Sequence, residues 1–426
     1  MSRRSFHVVG AGLAGLAAAS RLAEAGCDVA LYEAAPRGGG RCRSYHDPIL
    51  GRTIDNGNHL ILSGNRSALA FLKRIGAQDR VSGPSSAEFF FVDHATGDRW
   101  KLRIGDGRVP WWILDARRRV PGTKAVDYLA LLRLLRPPRD AAIGDVLSCS
   151  GAFYDRLLQP VLLASLNNDP PASSAALAAA LIRETLARGG RHCRPLVAHQ
   201  GLGAAFVDPA LAYLEARGAG IFFGQGLRKL HFSDGRVSAL DFGGGMEKLG
   251  DGDAVVLALP APAAGRLVPN LEPPSEFRAI ANLHFLVDED VPLPPITGVI
   301  HAATQWIFSF PGRLSVTISN ADRLLDIPRQ SLAEMVWREV AAIAGLPERL
   351  PRWQVVCERR ATFATLPEQE RLRPRAETGW PNLFLAGDWT ATGLPPTIEG
   401  AIRSGERAAS LALEKLALEK GAMADA

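Results

Sequence analysis

The stretch that most restricts how this chain can fold is SFHVVGAGLAGLAAASRLAEAGCDVALYE, from Ser5 to Glu33. Its first residues are apolar and β-branched enough for a short buried strand. Gly10, Gly12 and Gly15 then have the spacing of a strand-to-helix turn that holds a dinucleotide. Gly10 permits the turn, Gly12 lets backbone approach a pyrophosphate, and Gly15 lets helix and strand pack closely. The helix offers its first N–H groups, around Ala14, and its positive dipole end to the phosphates. Leu16, Ala19 and Leu22 keep helical spacing, and Gly26 closes the helix as a left-handed cap. The next strand, CDVALYE, ends on Glu33, 18 residues after Gly15, where a ribose hydroxyl needs a carboxylate acceptor.

The same residues imitate an exported leader, with Arg3 and Arg4 before an apolar run and Ala23-Glu24-Ala25 as a cleavage site. That reading deletes the first half of the βαβ unit and leaves Glu33 without a purpose. The expectation is a retained segment in a cytoplasmic protein. With 426 residues, 47% apolar and 22% charged, the chain has room for two to three domain equivalents and is globular in composition. A net charge of +5 is too weak to argue for nucleic acid, and no such signature accompanies it. The five cysteines are scattered without a CxxC, which reads as reduced thiols and no metal site. Apolar stretches such as DAVVLALPAPAAG are broken by prolines and too short to span a bilayer.

Further pieces of a cofactor site follow. In AAPRGGGRCRS, Arg41 can neutralise a pyrophosphate with its planar fork, the alternative being a solvated turn. In IDNGNHLILSGN, Gly57 lets backbone approach a flat ring, and Asn58 and His59 can reach its edge. Far downstream, NLFLAGDWTATGLPPTIEGAIRSGERAASLAL reads as a buried strand, a Gly387-Asp388 turn and a helix entered near Thr397. Asp388 can accept a hydrogen bond from a ribityl hydroxyl. The helix start directs N–H groups near Ile398 at a ring that becomes anionic on reduction, which suits a flavin better than a nicotinamide.

These residues resemble the flavin-dependent amine oxidase and phytoene desaturase superfamily. The resemblance implies bound FAD held by Gly10, Gly12, Ala14, Gly15, Glu33, Arg41, Gly57, Asn58, Asp388, Thr397 and Ile398, with Leu227 as a backbone contact to adenine. It implies an α/β fold: a Rossmann-like FAD-binding domain from residues 1–65, 200–265 and 376–426, and an interleaved α+β substrate domain with a helical cap from 66–199 and 266–375. The substrate domain is expected to hold a mixed sheet that includes RWQVVCERRATFATLP.

DNGNHLILSGN, QPVLLASLNNDPPASSAALAAALIRETLARGG and CRPLVAHQGLGAAFVDPALAYLEARGA resemble one branch, the hydroxysqualene dehydroxylases of bacterial hopanoid pathways. That resemblance implies reduction of an allylic alcohol to squalene, with a dry channel, a held flavin and a proton donor. The segments from Leu157 to Leu166 and Ala175 to Leu186 can line the channel or serve as plain core. Asp169 is a candidate proton donor if burial raises its pKa, or a turn and cap residue before Pro170-Pro171. His59 and Glu399 are rival catalytic candidates. A desaturase running in the opposite direction is the nearest alternative, followed by an amine oxidase; a prenyl-lipid carrier without redox chemistry belongs to a different class and would lack bound flavin.

Between Arg99 and Arg139 eleven Lys/Arg face only Asp106, Asp115 and Asp127, a local excess of eight, and the same stretch holds VPWWILD and AVDYLALLRLLRPP. Basic residues, tryptophans and an amphipathic helix suit an interfacial contact on the cytoplasmic membrane face; the alternative is a solvated cap with its own small core. The expected ligand is a polyprenyl small molecule. No second dinucleotide fingerprint is present for NADPH, and the electron donor is not named by any motif.

Overall fold

The strand Ser5–Val9 lies at the centre of a five-stranded parallel sheet, ordered Leu383–Leu385, Ala254–Leu257, Ser5–Val9, Asp28–Glu33 and Gly220–Phe223. This is a computed structural model that describes residues 5–287 and 291–424, with side chains of the last helix to residue 415. Arg3 and Arg4 lie outside the described residues. Ala254–Leu257 and Leu383–Leu385 are buried at every position, as parallel strands covered on both faces must be. The helix Leu13–Glu24 covers one face, with ten of its residues buried, and Ala23 of the leader-like triplet is one of them. Removing residues up to Ala25 would take out the middle of the sheet and its covering helix.

Two close approaches set the depth of this layer. A Cβ on Gly15 would stand 1.8 Å from the Gly10 carbonyl oxygen, so helix and strand meet only through a glycine. The long C-terminal helix Ile398–Ala424 crosses the first helix at Gly405, where a Cβ would stand 2.0 Å from the Ala14 carbonyl oxygen.

A second sheet has seven strands, ordered Trp353–Phe363, Phe277–Leu286, Arg313–Ser319, Trp306–Phe310, Ile296–Ile300, Ala87–Asp93 and Arg99–Ile104. It is mixed: Ile296–Ile300 runs parallel to Ala87–Asp93 and the other pairs are antiparallel. The expected stretch RWQVVCERRATFATLP supplies its edge strand Trp353–Phe363. Leu283, Phe285, Val316 and Ile318 pack one face onto Leu332, Val336, Trp337 and Val340 of the helix Arg329–Ala344. The opposite face meets the hairpin Ser44–Asp47/Arg52–Asp55, which leads out of the first layer. A small antiparallel sheet, Lys229–Ser233, Arg236–Asp241 and Met246–Lys248, adjoins the edge of the parallel one.

The helical segment Tyr154–Leu166 and the helix Ala175–Glu184 share an apolar cluster with the second sheet. The five cysteines are free, and burial pushes the Cys42 and Cys193 thiols up to about 12. Among the described residues no helix is long and apolar enough to cross a membrane.

Replacing Gly405 by Ala forces the two crossing helices apart. Urea denaturation is expected to show a loss of about 1–3 kcal/mol, the usual cost of overpacking. Gly26→Ala, where no atom lies within 4 Å of the new Cβ, is expected to cost only the left-handed backbone strain at φ +76°.

Candidate active site

The helix Leu13–Glu24 starts from Gly12 in extended geometry (φ −75°, ψ 176°), and no side chain caps its first turn. The space where a Gly12 Cβ would lie is open to 4 Å. N–H groups of an uncapped first turn beside an open cradle fit a phosphate. The second glycine loop closes over the first, the Gly39 N–H donating to the Ala11 carbonyl at 2.7 Å. Glu33, at the end of its strand, accepts the Ala11 N–H at 2.8 Å and the Ala35 N–H at 2.9 Å. Each of its oxygens keeps a lone pair for a further donor. Leu227 is half-buried in the segment between Gly220–Phe223 and Lys229–Ser233. That segment is held beside Glu33 by the Gln225 N–H, which donates to the Glu33 carbonyl at 2.8 Å.

Arg41 crosses from the second glycine loop to the distant motif. Its guanidinium donates to Asp388 Oδ1 at 2.7 Å and to the Ala361 carbonyl at 2.5 Å. Asp388 follows Gly387 at the end of Leu383–Leu385, and its loop is organised by a residue with no motif of its own. Arg373, whose side chain has no exposed surface, donates to the carbonyls of Asp388 (3.1 Å), Thr390 (2.9 Å) and Leu394 (2.9 Å). The same guanidinium reaches Thr392 Oγ1 at 2.8 Å and pairs with Glu370 at 2.7 Å. Thr397 caps the following helix, its Oγ1 accepting the Gly400 N–H at 3.2 Å, so the helix begins at Ile398.

Between the two layers lies the loop Asn56-Gly57-Asn58-His59. A Cβ on Gly57 would stand 3.2 Å from Asn282 Nδ2, so the glycine also admits a neighbour from the second sheet. Asn282 Oδ1 accepts the Thr317 hydroxyl at 2.8 Å, and Thr317 in turn accepts Asn58 Nδ2 at 3.1 Å. Asn58 Oδ1 is left buried without a donor, an orphan that a ring N–H would satisfy. Burial, reinforced by the Arg41 charge, pushes His59 down to about 4, so its imidazole is neutral near pH 7. Along the same sheet face, Thr317 pairs with Trp306, Trp306 with Gly298, and Gly298 with Phe91. Directly opposed residues share a face, so the polar loop continues into an aromatic wall. Leu157, Leu158, Leu162 and Leu166 are buried in the same cluster as that wall, as are Ala175, Leu177 and Ile182.

The three catalytic candidates separate. Glu399 is buried and committed: its carboxylate accepts the Ser67 and Ala68 N–H groups (3.0 and 2.9 Å) at the start of the helix Arg66–Arg74 and pairs with Arg403 at 2.9 Å. It is a helix anchor, contrary to the catalytic expectation. His59, neutral at pH 7, has no second proton to release. Asp169 is exposed, not buried, because its neighbours are the ones drawn inward. Asn167, in the left-handed region at φ 50°, holds the Arg278 carbonyl, Thr362 and the Asn320 N–H, and Asn168 holds Arg278. The Asp169 side chain does not cap the Pro170–Ala172 turn either; its carbonyl takes the Ser173 hydroxyl at 2.8 Å. Arg373, Asn282, Thr317 and Trp306 carry no sequence signal that singles them out.

Arg373→Ala leaves Glu370 and at least three carbonyls without their buried partner. The expected result is a loss of about 3–5 kcal/mol in urea denaturation and a lower flavin-to-protein absorbance ratio after gel filtration. Acid behaviour tests the buried histidines. Burial and the Arg313 charge push His284 down to about 3. Between pH 6.5 and the folded values, the unfolded chain takes up protons that the folded chain refuses, so stability falls as pH falls through that window. His284→Gln is expected to flatten the acid limb of stability against pH, measured by denaturation from pH 7 to 4.

Residues 13–413 match the family of flavin containing amine oxidoreductases. The chain is 54% identical over 411 residues to a hydroxysqualene dehydroxylase of Rhodopseudomonas palustris, covering 96% of this chain and 98% of that protein. It is 52% identical over 412 residues to a hydroxysqualene dehydroxylase of Sinorhizobium fredii, covering 97% and 99%. Among solved structures, a putrescine oxidase variant redesigned for cofactor binding superposes with a TM-score of 0.72 at 17% identity, over 96% of this chain and 99% of that one. The chain belongs to the flavin containing amine oxidoreductase family, as a flavin-dependent oxidoreductase of the hydroxysqualene dehydroxylase branch.

Proposed function

We propose that the protein binds FAD and reduces hydroxysqualene to squalene. The observation that carries this reading is the sheet face that runs from the Asn58–Thr317 pair straight into Trp306, Gly298 and Phe91. A long hydrocarbon suits such a wall.

In this reading the uncapped turn at Gly12, with Ala14 and Gly15 in its first residues and Gly10 before it, takes the pyrophosphate together with Arg41. Glu33 takes a ribose hydroxyl, Leu227 meets adenine, and Asp388 takes a ribityl hydroxyl. Gly57, Asn58 and the Ile398 helix start, capped by Thr397, meet the ring. Reduced FAD supplies a hydride. The allylic C–O bond would break as its oxygen gains a proton and leaves as water, and the hydride that a bound reduced flavin would supply balances the change from alcohol to hydrocarbon. The allylic double bond spreads the developing positive charge, and the apolar wall keeps water from capturing it.

The protein must deliver the proton. With Glu399 committed, His59 neutral and Asp169 exposed rather than buried, none of the three candidates is set up as the donor, and a buried phenol, Tyr154, takes that role in this proposal. Burial raises the pKa of Tyr154, and the neighbouring Cys149 and Asp169 add to the shift, so its proton is retained at neutral pH. The flavin is reduced by a donor outside the chain, in the cytoplasm.

The test is anaerobic: reduce the bound flavin, add hydroxysqualene, and follow reoxidation with product identification. One squalene per flavin is expected, carrying one deuterium at the former carbinol carbon when the flavin is reduced in D2O. Oxidised flavin without squalene would sink the reading. Tyr154→Phe is expected to slow single-turnover reoxidation by roughly 10²–10⁴, and Asp169→Asn to leave it unchanged; an unchanged rate in Tyr154→Phe removes Tyr154 from the mechanism.

A further inference from the structure

Residues 109–132 expose large apolar side chains in a way no other segment does. Val109, Trp111, Leu114, Val126, Leu129 and Leu132 are 54–71% exposed, and they make up six of the eleven exposed large apolar side chains among the described residues. Five of them lie on two short helical pieces, Trp111–Leu114 and the run Ala125–Leu135, and Val109 stands just before the first. Each piece already has a buried apolar side. Trp112, Tyr128 and Leu134 are at most 8% exposed, and Tyr128 packs on Trp112 (5.5 Å between centroids) and on Phe153 (4.6 Å). A surface helix normally turns polar residues outward once one face is buried. Here the second face is apolar as well.

The charge around that face has one sign. Arg108, Arg117, Lys124, Arg133, Arg136 and Arg139 are exposed, and none has a carboxylate within 4.0 Å among the described residues. The local acids are occupied elsewhere. Asp106 faces Arg191 and Arg194, Asp115 accepts the Arg117 N–H, and Asp127 accepts the Lys124 N–H. An apolar ridge framed by unpaired cations matches the boundary of an anionic bilayer: the side chains enter the acyl region while the cations meet phosphates. An acidic protein would answer the cations but would not call for two solvent-facing apolar rows.

We infer that residues 108–139 dock the protein on an anionic membrane surface, with Trp111, Leu114, Leu129 and Leu132 inserted. The inference rests on the proposed reaction in one respect, the source of the substrate. Trp112, Tyr128 and Leu134 belong to the same apolar cluster as Leu162, Trp306 and Phe308, so a hydrocarbon leaving the bilayer at this face meets apolar side chains as far as the active-site wall.

The test is flotation of the full flavin-loaded chain with vesicles of phosphatidylethanolamine and phosphatidylglycerol, against phosphatidylcholine alone. Co-flotation with the anionic vesicles at low salt, weakened by high salt, is expected. Each surface cation contributes about fivefold to partitioning, so Arg133→Gln with Arg136→Gln is expected to weaken it roughly 25-fold. Trp111→Ser with Leu114→Ser is expected to abolish flotation while flavin content stays at the parent level, because both side chains are exposed. Absence of flotation with anionic vesicles overturns the inference, as does flotation that neither double variant weakens. Binding of a [2Fe–2S] ferredoxin by the parent, lost in Arg133→Gln/Arg136→Gln, in the absence of vesicle binding assigns the face to an acidic protein instead. Turnover of detergent-dispersed hydroxysqualene separates the two proposals: turnover without vesicle binding overturns the docking alone, and vesicle binding without turnover overturns the reaction alone.

Discussion

The loop that ends on Leu394 is held by a cation with no access to water. The Arg373 side chain has no exposed surface, and an unpaired buried guanidinium would be strongly destabilising. It is tolerated because Glu370 and a set of backbone carbonyls surround it, and the planar fork fixes the directions in which those carbonyls point. Asp388 is thereby placed where Arg41 can reach it from the other end of the chain. The first turn of the C-terminal helix follows the same loop, so its start is positioned by the same contacts. Much of the site is a consequence of one side chain that needs acceptors.

The geometry of the two glycine loops was legible in the sequence because its parts are local. Gly10, Gly12 and Gly15 act within one turn, and Glu33 ends the very next strand. Asp388 and Thr397 were readable for the same reason, each within a few residues of its turn or helix start. Arg373 was not. It stands among Arg371 and Arg375 in a run where every arginine looks alike, and only the folded loop selects which one is buried. Asn282, Thr317 and Trp306 were equally hidden, since strand register across the second sheet brings them to the Asn58 loop.

The catalytic candidates were harder to read for a related reason. Residue type and position in a motif do not reveal what a side chain is already bonded to. Glu399 belongs to a flavin-proximal motif, yet both its oxygens are used on the start of another helix. NNDPP drew attention to its acid, whereas the two asparagines before it carry the tertiary bonds. Burial, expected of Asp169, belongs instead to Asn167 and Asn168.

The order of strands in the parallel sheet also bears on how the protein is made. Its central strand, Ser5–Val9, is made long before its neighbours on one side, Ala254–Leu257 and then Leu383–Leu385. The sheet cannot close until almost the whole chain exists, and pairings so distant in sequence are slow to form. Arg373, Asp388 and the Ile398 helix start arrive in that same last portion. The two glycine loops therefore wait for most of synthesis with Ser5–Val9 paired only to Asp28–Glu33 and its other edge open, and a chain truncated before residue 383 has the fingerprint of a nucleotide fold without the means to complete one.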